Sequence, residues 1–435
     1  MIDLGSKRVL VYDSGGLFLS LAFCLSKDFG SVGYYTPNSS PFPLPYLNAL
    51  GDGFPEIERV HDFWREQSQA DLIVFPDTGD ASLQLALVEQ GRRVWGSRGG
   101  DALELRRAWF RRQQGKWGLE VPEHRIVHGV SELRKFLVEH DGWFVKVSRY
   151  RGLCETFQYH AGPRGEGQLD QLAAKLGPLQ TDFQFLCDAP IDAVVETGSD
   201  QYTIDGQWPQ FVCQSIETKD KAGISAVTPM SKMPQALRDV NEALTPFLKE
   251  QNYRNWFSAE VRITEDKRAF LTDPCSRQAS PIGECLLELI GNLGEIIWHG
   301  SEGDLVEPEY VAQFAAQAIV DHPDPEEHWR IGDWPVEIRQ WFKPQGCVGL
   351  EDNRIGFPPF PWSCDAVGSV VGLGASIKEA INKLKEHVAA LEHAGYSVHV
   401  PALADTISAI DQEEAAGVPF TRQPVPGVAI VLDNA

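Results

Sequence analysis

Between Asn255 and Arg277 the chain reads N-W-F-S-A-E-V-R-I-T-E-D-K-R-A-F-L-T-D-P-C-S-R. Ser258, Glu260, Arg262 and Thr264 alternate with Phe257, Ala259, Val261 and Ile263, the period of a strand with one buried face. A second run, Arg268 to Asp273, follows a polar break at Glu265-Asp266-Lys267. Paired as a tight hairpin centred on Asp266-Lys267, the two runs set Glu260 directly opposite Asp273 on one face. Like charges so placed destabilise a sheet, and a divalent cation shared with triphosphate oxygens would relieve them. Arg262 on that face and Arg277 just beyond are suited to neutralising phosphate. A solvated, exposed hairpin remains the alternative, because Asp-Lys is not a pair that fixes a two-residue turn.

Other residues carry chemistry in the same direction. Lys146 sits between valines in Gly142-Trp-Phe-Val-Lys-Val-Ser148, a costly place for an ammonium unless an anion or carboxylate meets it. It either does so or snorkels from an edge strand. The polar turn Arg149–Thr156, with Gly152 inside it, suits a flap. Asp101 followed by Glu104 makes a capping-box-like helix start, and Arg106, Arg107, Arg111 and Arg112 follow as an anion site or a solvated face. Cys275 beside Arg277 reads as an activated thiol or, more commonly for this residue type, an inert one. His124 and His128 have the spacing of a helical zinc pair. However, Arg125-Ile126-Val127 favours a strand, and no glutamate follows His124 as a metalloprotease requires. There is no G-x-S-x-G and no P-loop lysine motif.

These residues need elements to position them. The first hundred residues read as α/β, with strands at Arg8–Tyr12, Ser31–Thr36, Leu72–Phe75 and Arg93–Trp95 and helices at Leu17–Lys27 and Ala81–Gln90. Ligands gather at the C-terminal ends of such strands, here Asp13-Ser14-Gly15-Gly16 and Asp77-Thr78-Gly79-Asp80. Those glycines admit a phosphate or simply make tight turns, and no full G-x-G-x-x-G supports a dinucleotide site. Phe183–Phe185, Ala193–Glu196 and Asp200–Asp205 read as strands of a small antiparallel unit, followed by a strand at Gln207–Cys213. Gln235–Gln251 reads as mostly helical, kinked or interrupted at Pro246, and Glu284–His299 as a second helix. His322–Glu327 reads as a linker. Beyond it, Gly368–Gly374 leads into a helix capped by Ser376 with Glu379 at its third position, and Gly395 ends that helix.

A length of 435 residues predicts about two to four domains. A formal net charge of -22 argues against a general affinity for nucleic acid or anionic membrane, while leaving room for a local nucleotide pocket. No long apolar run and no signal-peptide pattern is present, and the eight scattered cysteines contain no C-x-x-C pair. The expectation is a cytoplasmic protein with reduced thiols.

The order of these features resembles the ATP-grasp superfamily, and within it the phosphoribosylamine–glycine ligase group. The resemblance is clearest in L-E-L-R-R-A-W-F-R-R-Q-Q-G-K-W-G-L-E-V-P and V-G-L-G-A-S-I-K-E-A-I-N-K-L. It implies an N-terminal Rossmann-like α/β domain over 1–100, an ATP-grasp domain over 101–325 with a lid at about 140–210, and a small C-terminal α/β domain over 326–435. It implies ATP and Mg2+ as cofactors, and an ATP-dependent ligase joining a small-molecule carboxylate to an amine through an acyl phosphate.

Carried over, Lys146 matches the lid lysine that contacts phosphate. Arg107 and Arg111 occupy the helix of a nucleotide-contacting lysine, and Gly152 belongs to the flap. Gln184 lies where the adenine hinge begins, and Glu196 is a ribose or adenine contact. Glu260 and Asp273 match the magnesium ligands. Arg262 and Arg277 join Lys146 as charge stabilisers, and Ser14, Gly15, Gly16, Gln278 and Ser280 are substrate contacts. The chain departs from the group in lacking its glycine–arginine–glutamate signature and glycine-rich flap. Cys275, a soft thiol, also stands where many relatives have a metal-binding asparagine. The rival readings are a degenerate member that binds nucleotide without ligation, a true phosphoribosylamine–glycine ligase, and a NAD-type binding protein.

Overall fold

The computed structural model describes residues 2–37, 49–149, 156–279, 283–322, 328–359 and 366–425. Among them the strands gather into four sheets. The first is parallel throughout, in the order β3-β2-β1-β4-β5, with β1 at Arg8–Tyr12, β2 at Ser31–Tyr35, β3 at Glu58–Arg59, β4 at Leu72–Val74 and β5 at Val94–Trp95. Helices cover such a sheet on both faces, so Val9, Leu10 and Val11 are all buried and the strand reads as one apolar run. Helices Leu19–Leu25 and Ala81–Glu89 follow β1 and β4. The turns at Asp13–Gly16 and Asp77–Asp80 therefore lie together at the strand ends.

The second sheet is antiparallel, β6-β9-β7-β8, formed by β6 (His124–His128), β7 (Phe144–Val147), β8 (Thr156–Gln158) and β9 (Gln184–Asp188). With helices Val130–Val138 and Pro163–Leu176 it closes a core of its own around Leu133, Val145, Leu169 and Phe185. The remaining strands are β10 (Ala193–Ile204), β11 (Phe211–Thr218), β12 (Ala222–Pro229), β13 (Arg254–Thr264), β14 (Ala269–Cys275), β15 (Phe314–Asp321), β16 (Arg330–Asp333), β17 (Phe342–Pro344), β18 (Val348–Gly349), β19 (Arg354–Phe357), β20 (Ala366–Gly374) and β21 (Ser397–Val398). A nine-stranded sheet runs β14-β13-β10-β11-β12-β15-β20-β17 with β21 on β15, and β16-β19-β18 form a small separate sheet. The largest apolar core joins β1, β2 and the helix after β1 to the faces of β12, β15 and β20. No described helix is long and apolar enough to cross a membrane.

Several expected elements come out differently. The small antiparallel unit does not exist as such. Phe185 belongs to β9, whereas Ala193–Glu196 and Asp200–Asp205 merge into the single long strand β10, which pairs with β13 along its length. Residues 140–210 are thus shared between two sheets. Pro246 does not interrupt helix Gln235–Glu250, because its face of Leu237, Val240, Leu244 and Leu248 is buried against β13 and outweighs the lost hydrogen bond. Glu284–His299 splits into Gly283–Leu289 and Leu293–Gly300, separated where Ile290 bridges to Tyr310. Strands of the C-terminal segment, β17 and β20, continue the central sheet. Ser376 does cap its helix, accepting from Glu379 N–H at 3.2 Å, while Glu379 accepts from Ala375 N–H at 2.9 Å.

Candidate active site

The hairpin β13–β14 places Glu260 opposite Asp273, as the alternation requires, but by another route. Its turn takes three residues, Glu265 to Lys267, one more than expected, and is closed by Thr264 N–H on Arg268 O at 3.0 Å. Ile263 pairs with Ala269, and Lys267 adopts φ +67° while donating its N–H to Thr264 O at 3.0 Å. That shift alone would misalign the carboxylates. A bulge restores them: Val261 pairs with Leu271, Thr272 is left over, and Glu260 then meets Asp273. Thr272 is not idle, since its hydroxyl donates to Glu260 Oε1 at 2.9 Å and its carbonyl accepts from Lys146 Nζ at 2.6 Å.

Two other elements bring cations to Asp273. The expected capping box at Asp101 does not form. A 3-10 turn at Arg98–Asp101 and helix Ala102–Leu105 end at Arg106, and a new helix begins at Arg107. That break points Arg107 at Asp273, with Nη1 3.0 Å from Oδ1. Glu104, released from capping, accepts from Ser276 N–H at 3.1 Å and from Arg277 Nε at 2.9 Å, holding the end of β14. Lys146 lies on β7, an interior strand of its sheet, and is buried, which removes the edge-strand alternative. Its Nζ is 3.6 Å from Asp188. Arg111 is buried too, in a two-pronged contact with Asp188 at 3.1 and 2.5 Å.

These pairings set the protonation states. Burial works to raise the Asp273 pKa, yet Arg107 and Lys146 hold it below the usual carboxylate range. Asp188 follows the same pattern, with Arg111 and Lys146 outweighing burial. Burial pulls the Lys146 pKa down, with Asp273 opposing. Glu260 goes the other way: burial first, then Glu196 and Asp273, push it up to about 7.

Glu196 enters from β10, where it pairs with Arg262 across the strands at 2.8 Å. Arg262 also lies 3.8 Å from Glu260 and 5.4 Å over the Phe144 ring of β7, so it ties the two sheets at this point. Asp200, buried, accepts from Ser258 Oγ at 2.6 Å. Around these groups lies a cleft of about 150 Å³, lined among others by Glu196, Asp200, Glu217, Glu260, Asp273 and Arg277. Among the described residues no group of three or more His, Cys, Asp or Glu could hold a metal ion. Glu260 and Asp273 nevertheless fit the smaller demand of a magnesium ion that takes its other ligands from phosphate and water. The uncompensated charge that raises Glu260 is what such an ion would relieve. Cys275 is half-buried with its Sγ 3.7 Å from Arg277 O and supplies no hard donor.

At the far end, Gln278 N–H donates to Pro76 O at 3.1 Å, joining the hairpin to the parallel sheet beside Asp77. The turn Ser14–Gly16 lies there as expected, wrapped around Asp13. Gln184 starts β9 and pairs with His128. His124 and His128 occupy opposite ends of β6 and so are kept apart. Gly152, Ser280 and most of the Arg149–Thr156 flap lie outside the described residues. The sequence reading missed Glu104, Asp188 and Glu217, whose partners lie far along the chain. Asp188 carried the one available signal, an acid closing the apolar run Phe185-Leu186-Cys187.

No protein-family model matches the sequence, and no curated protein is similar to it. Solved structures are similar. A phosphoribosylamine–glycine ligase from Thermotoga maritima superposes with a TM-score of 0.64 at 16% identity, over 90% of this chain and 97% of that one. An L-amino acid ligase from Bacillus licheniformis gives 0.58 at 12% identity, over 90% and 98%. A carboxyaminoimidazole ribonucleotide synthase from Aspergillus clavatus, complexed with ATP, gives 0.54 at 12% identity, over 90% and 100%.

Proposed function

We propose that this chain, which has the ATP-grasp fold of those structures, is an ATP- and magnesium-dependent ligase joining a carboxylate to an amine. The observation that carries the reading is the meeting of Glu260 and Asp273 across β13 and β14, with Arg107 and Lys146 converging on Asp273. Magnesium held by the two carboxylates would draw charge from the terminal phosphates. Lys146, Arg262 and Arg277 would stabilise negative charge on the transferring phosphoryl group. The substrate carboxylate attacks that group to give an acyl phosphate and ADP, and the amine then displaces phosphate. In this reading Arg107 and Arg111 support the site from behind Asp273 and Asp188, Gln184 and Glu196 would serve as nucleoside contacts, and Ser14–Gly16, Gln278 and Ser280 as substrate contacts. That two of the similar structures are ligases for an amine or an amino acid supports this reading.

The test is magnesium-dependent release of ADP and phosphate from ATP with pooled amino acids and small amines, tracking product mass. A condensed product with stoichiometric ADP is expected. Glu260→Gln with Asp273→Asn should abolish it, and full activity in that double variant would remove the reading. Nucleotide binding without turnover under every pool would favour a binding protein, the role to which the thiol of Cys275 in the ligand row points.

A further inference from the structure

The face of β10 and β11 turned away from the cleft is polar although it is buried. Side chains alternate along a strand. Glu196 and Asp200 face the cleft, whereas Thr197 and Ser199 stand opposite Val261 and Ala259, which belong to the core behind it. Gln214 of β11 pairs directly with Ser199 and shares that face. Helix Ala402–Ala415 packs over β10, β11 and β12 and brings Glu413 against Thr197. Each of the four side chains is at most 1% exposed. Among the described residues five of their oxygens have no hydrogen-bond partner: Thr197 Oγ1, Ser199 Oγ, Gln214 Oε1 and both carboxyl oxygens of Glu413. The Gln214 amide is held in place, because its Nε2 donates to Pro419 O at 2.8 Å.

A buried polar atom without a partner is costly, and five on facing side chains call for a ligand. All five are oxygens, the donor set of a hard cation. One carboxylate balances one positive charge, so a divalent ion would leave a net charge buried. The depth of the side chains leaves no opening for an organic amine. The protein supplies no counter-charge of its own. Burial pushes the Glu413 pKa up to about 8, the Thr197 hydroxyl opposes the rise, Glu414 adds to it, and no cation is among the groups acting most strongly. Asp411 and Glu414 on the same helix take Arg422. Lys267, from the β13–β14 turn, donates to Ala416 O at 2.6 Å. β12 carries no charged residue, and Glu217 of β11 lines the cleft on the other face.

We propose that Thr197, Ser199, Gln214 and Glu413 bind one monovalent alkali cation, potassium or sodium, which clamps helix Ala402–Ala415 to the back of the strands that carry the cleft. The ion takes the place of the Glu413 proton, so the two compete. The site is independent of the ligase reading and stands whether or not that reading holds.

The full chain is melted in potassium, sodium or choline chloride at equal ionic strength, at about pH 6.5 and about pH 9. Choline is too large for the site and serves as the blank. Potassium or sodium should raise the thermal midpoint saturably, by about 2–4 °C over choline at the higher pH and by less at the lower, where the proton competes. The ion with the larger effect is the occupant. Calorimetric titration of that ion near neutral pH should release about one proton. Glu413→Gln should fold in choline and lose the response to the ion. Equal midpoints in the three salts, or a response that Glu413→Gln retains, would overturn the proposal and leave water among these oxygens. If Glu413→Gln does not fold, the parent's proton release and Ser199→Ala decide. Several-fold weaker binding in Ser199→Ala supports the site, and unchanged affinity there, or binding without proton release in the parent, sinks it.

Discussion

Glu260 keeps its proton into the neutral range because burial, Glu196 and Asp273 all oppose its charge. A hard cation recruits only the ionised form, so affinity for magnesium–ATP should rise several-fold between about pH 6 and pH 8. Glu260→Gln should flatten that rise, and titration calorimetry at three pH values would decide it. The stability sign is opposite. A carboxyl whose folded pKa exceeds its ordinary 4.5 favours the folded state most below that value, and the contribution is lost as pH climbs through about 7. Arg111 makes a second residue-scale case. Its removal takes the two-pronged partner from a buried Asp188 and leaves Lys146 at 3.6 Å, so Arg111→Ala should cost about 3 kcal/mol in urea unfolding, whatever its effect on turnover.

At the scale of the element, the site depends on two irregularities that cancel. The three-residue turn ending at Lys267 and the bulge at Thr272 each shift the β13–β14 register by one residue. Deleting Thr272 should leave a regular hairpin with Asp273 still opposite Glu260, but it removes the carbonyl that holds Lys146 and the hydroxyl that holds Glu260. The expected result is loss of magnesium-dependent nucleotide binding with a thermal midpoint within a few degrees of the parent, measured by calorimetry and thermal melting. Only part of this was legible in the sequence. Alternation through Glu260 and Arg262 gave the strand, its face and the carboxylate pair. Asp266-Lys267 gave no turn type, because neither residue demands a positive φ. Glu104 looked like a cap since local spacing cannot reveal a partner at Arg277. For the same reason the long strand β10 looked like two, with the polar Thr197–Ser199 breaking its apolar pattern while lying within a sheet.

Over the whole molecule, the sheet β6-β9-β7-β8 has its own core, meets the central sheet through Arg262 over Phe144 and Lys146 on Thr272, and meets the helix Arg107–Lys116 through Arg111 on Asp188. These are polar contacts around the cleft rather than a shared apolar layer. We therefore expect this unit to act as a lid that closes on nucleotide, sheltering an acyl phosphate from water. Limited proteolysis with and without magnesium–ATP should show protection within residues 140–210, and an unchanged cleavage pattern would count against closure. The parallel N-terminal sheet was legible from its alternating strands and helices. The joining of β17 and β20 to the central sheet was not, because pairing between distant strands leaves no local trace.

The order of that central sheet also governs how the protein is made. β12 lies between β11 and β15, and β15 between β12 and β20, so the chain emerging from a ribosome carries unpaired strand edges until Gly374 has been translated. β10 waits in the same way for β13, which follows the helix Gln235–Glu250. Half-made copies thus offer sticky borders to one another, and the yield of soluble protein should depend on translation speed and on chaperones that guard nascent chains.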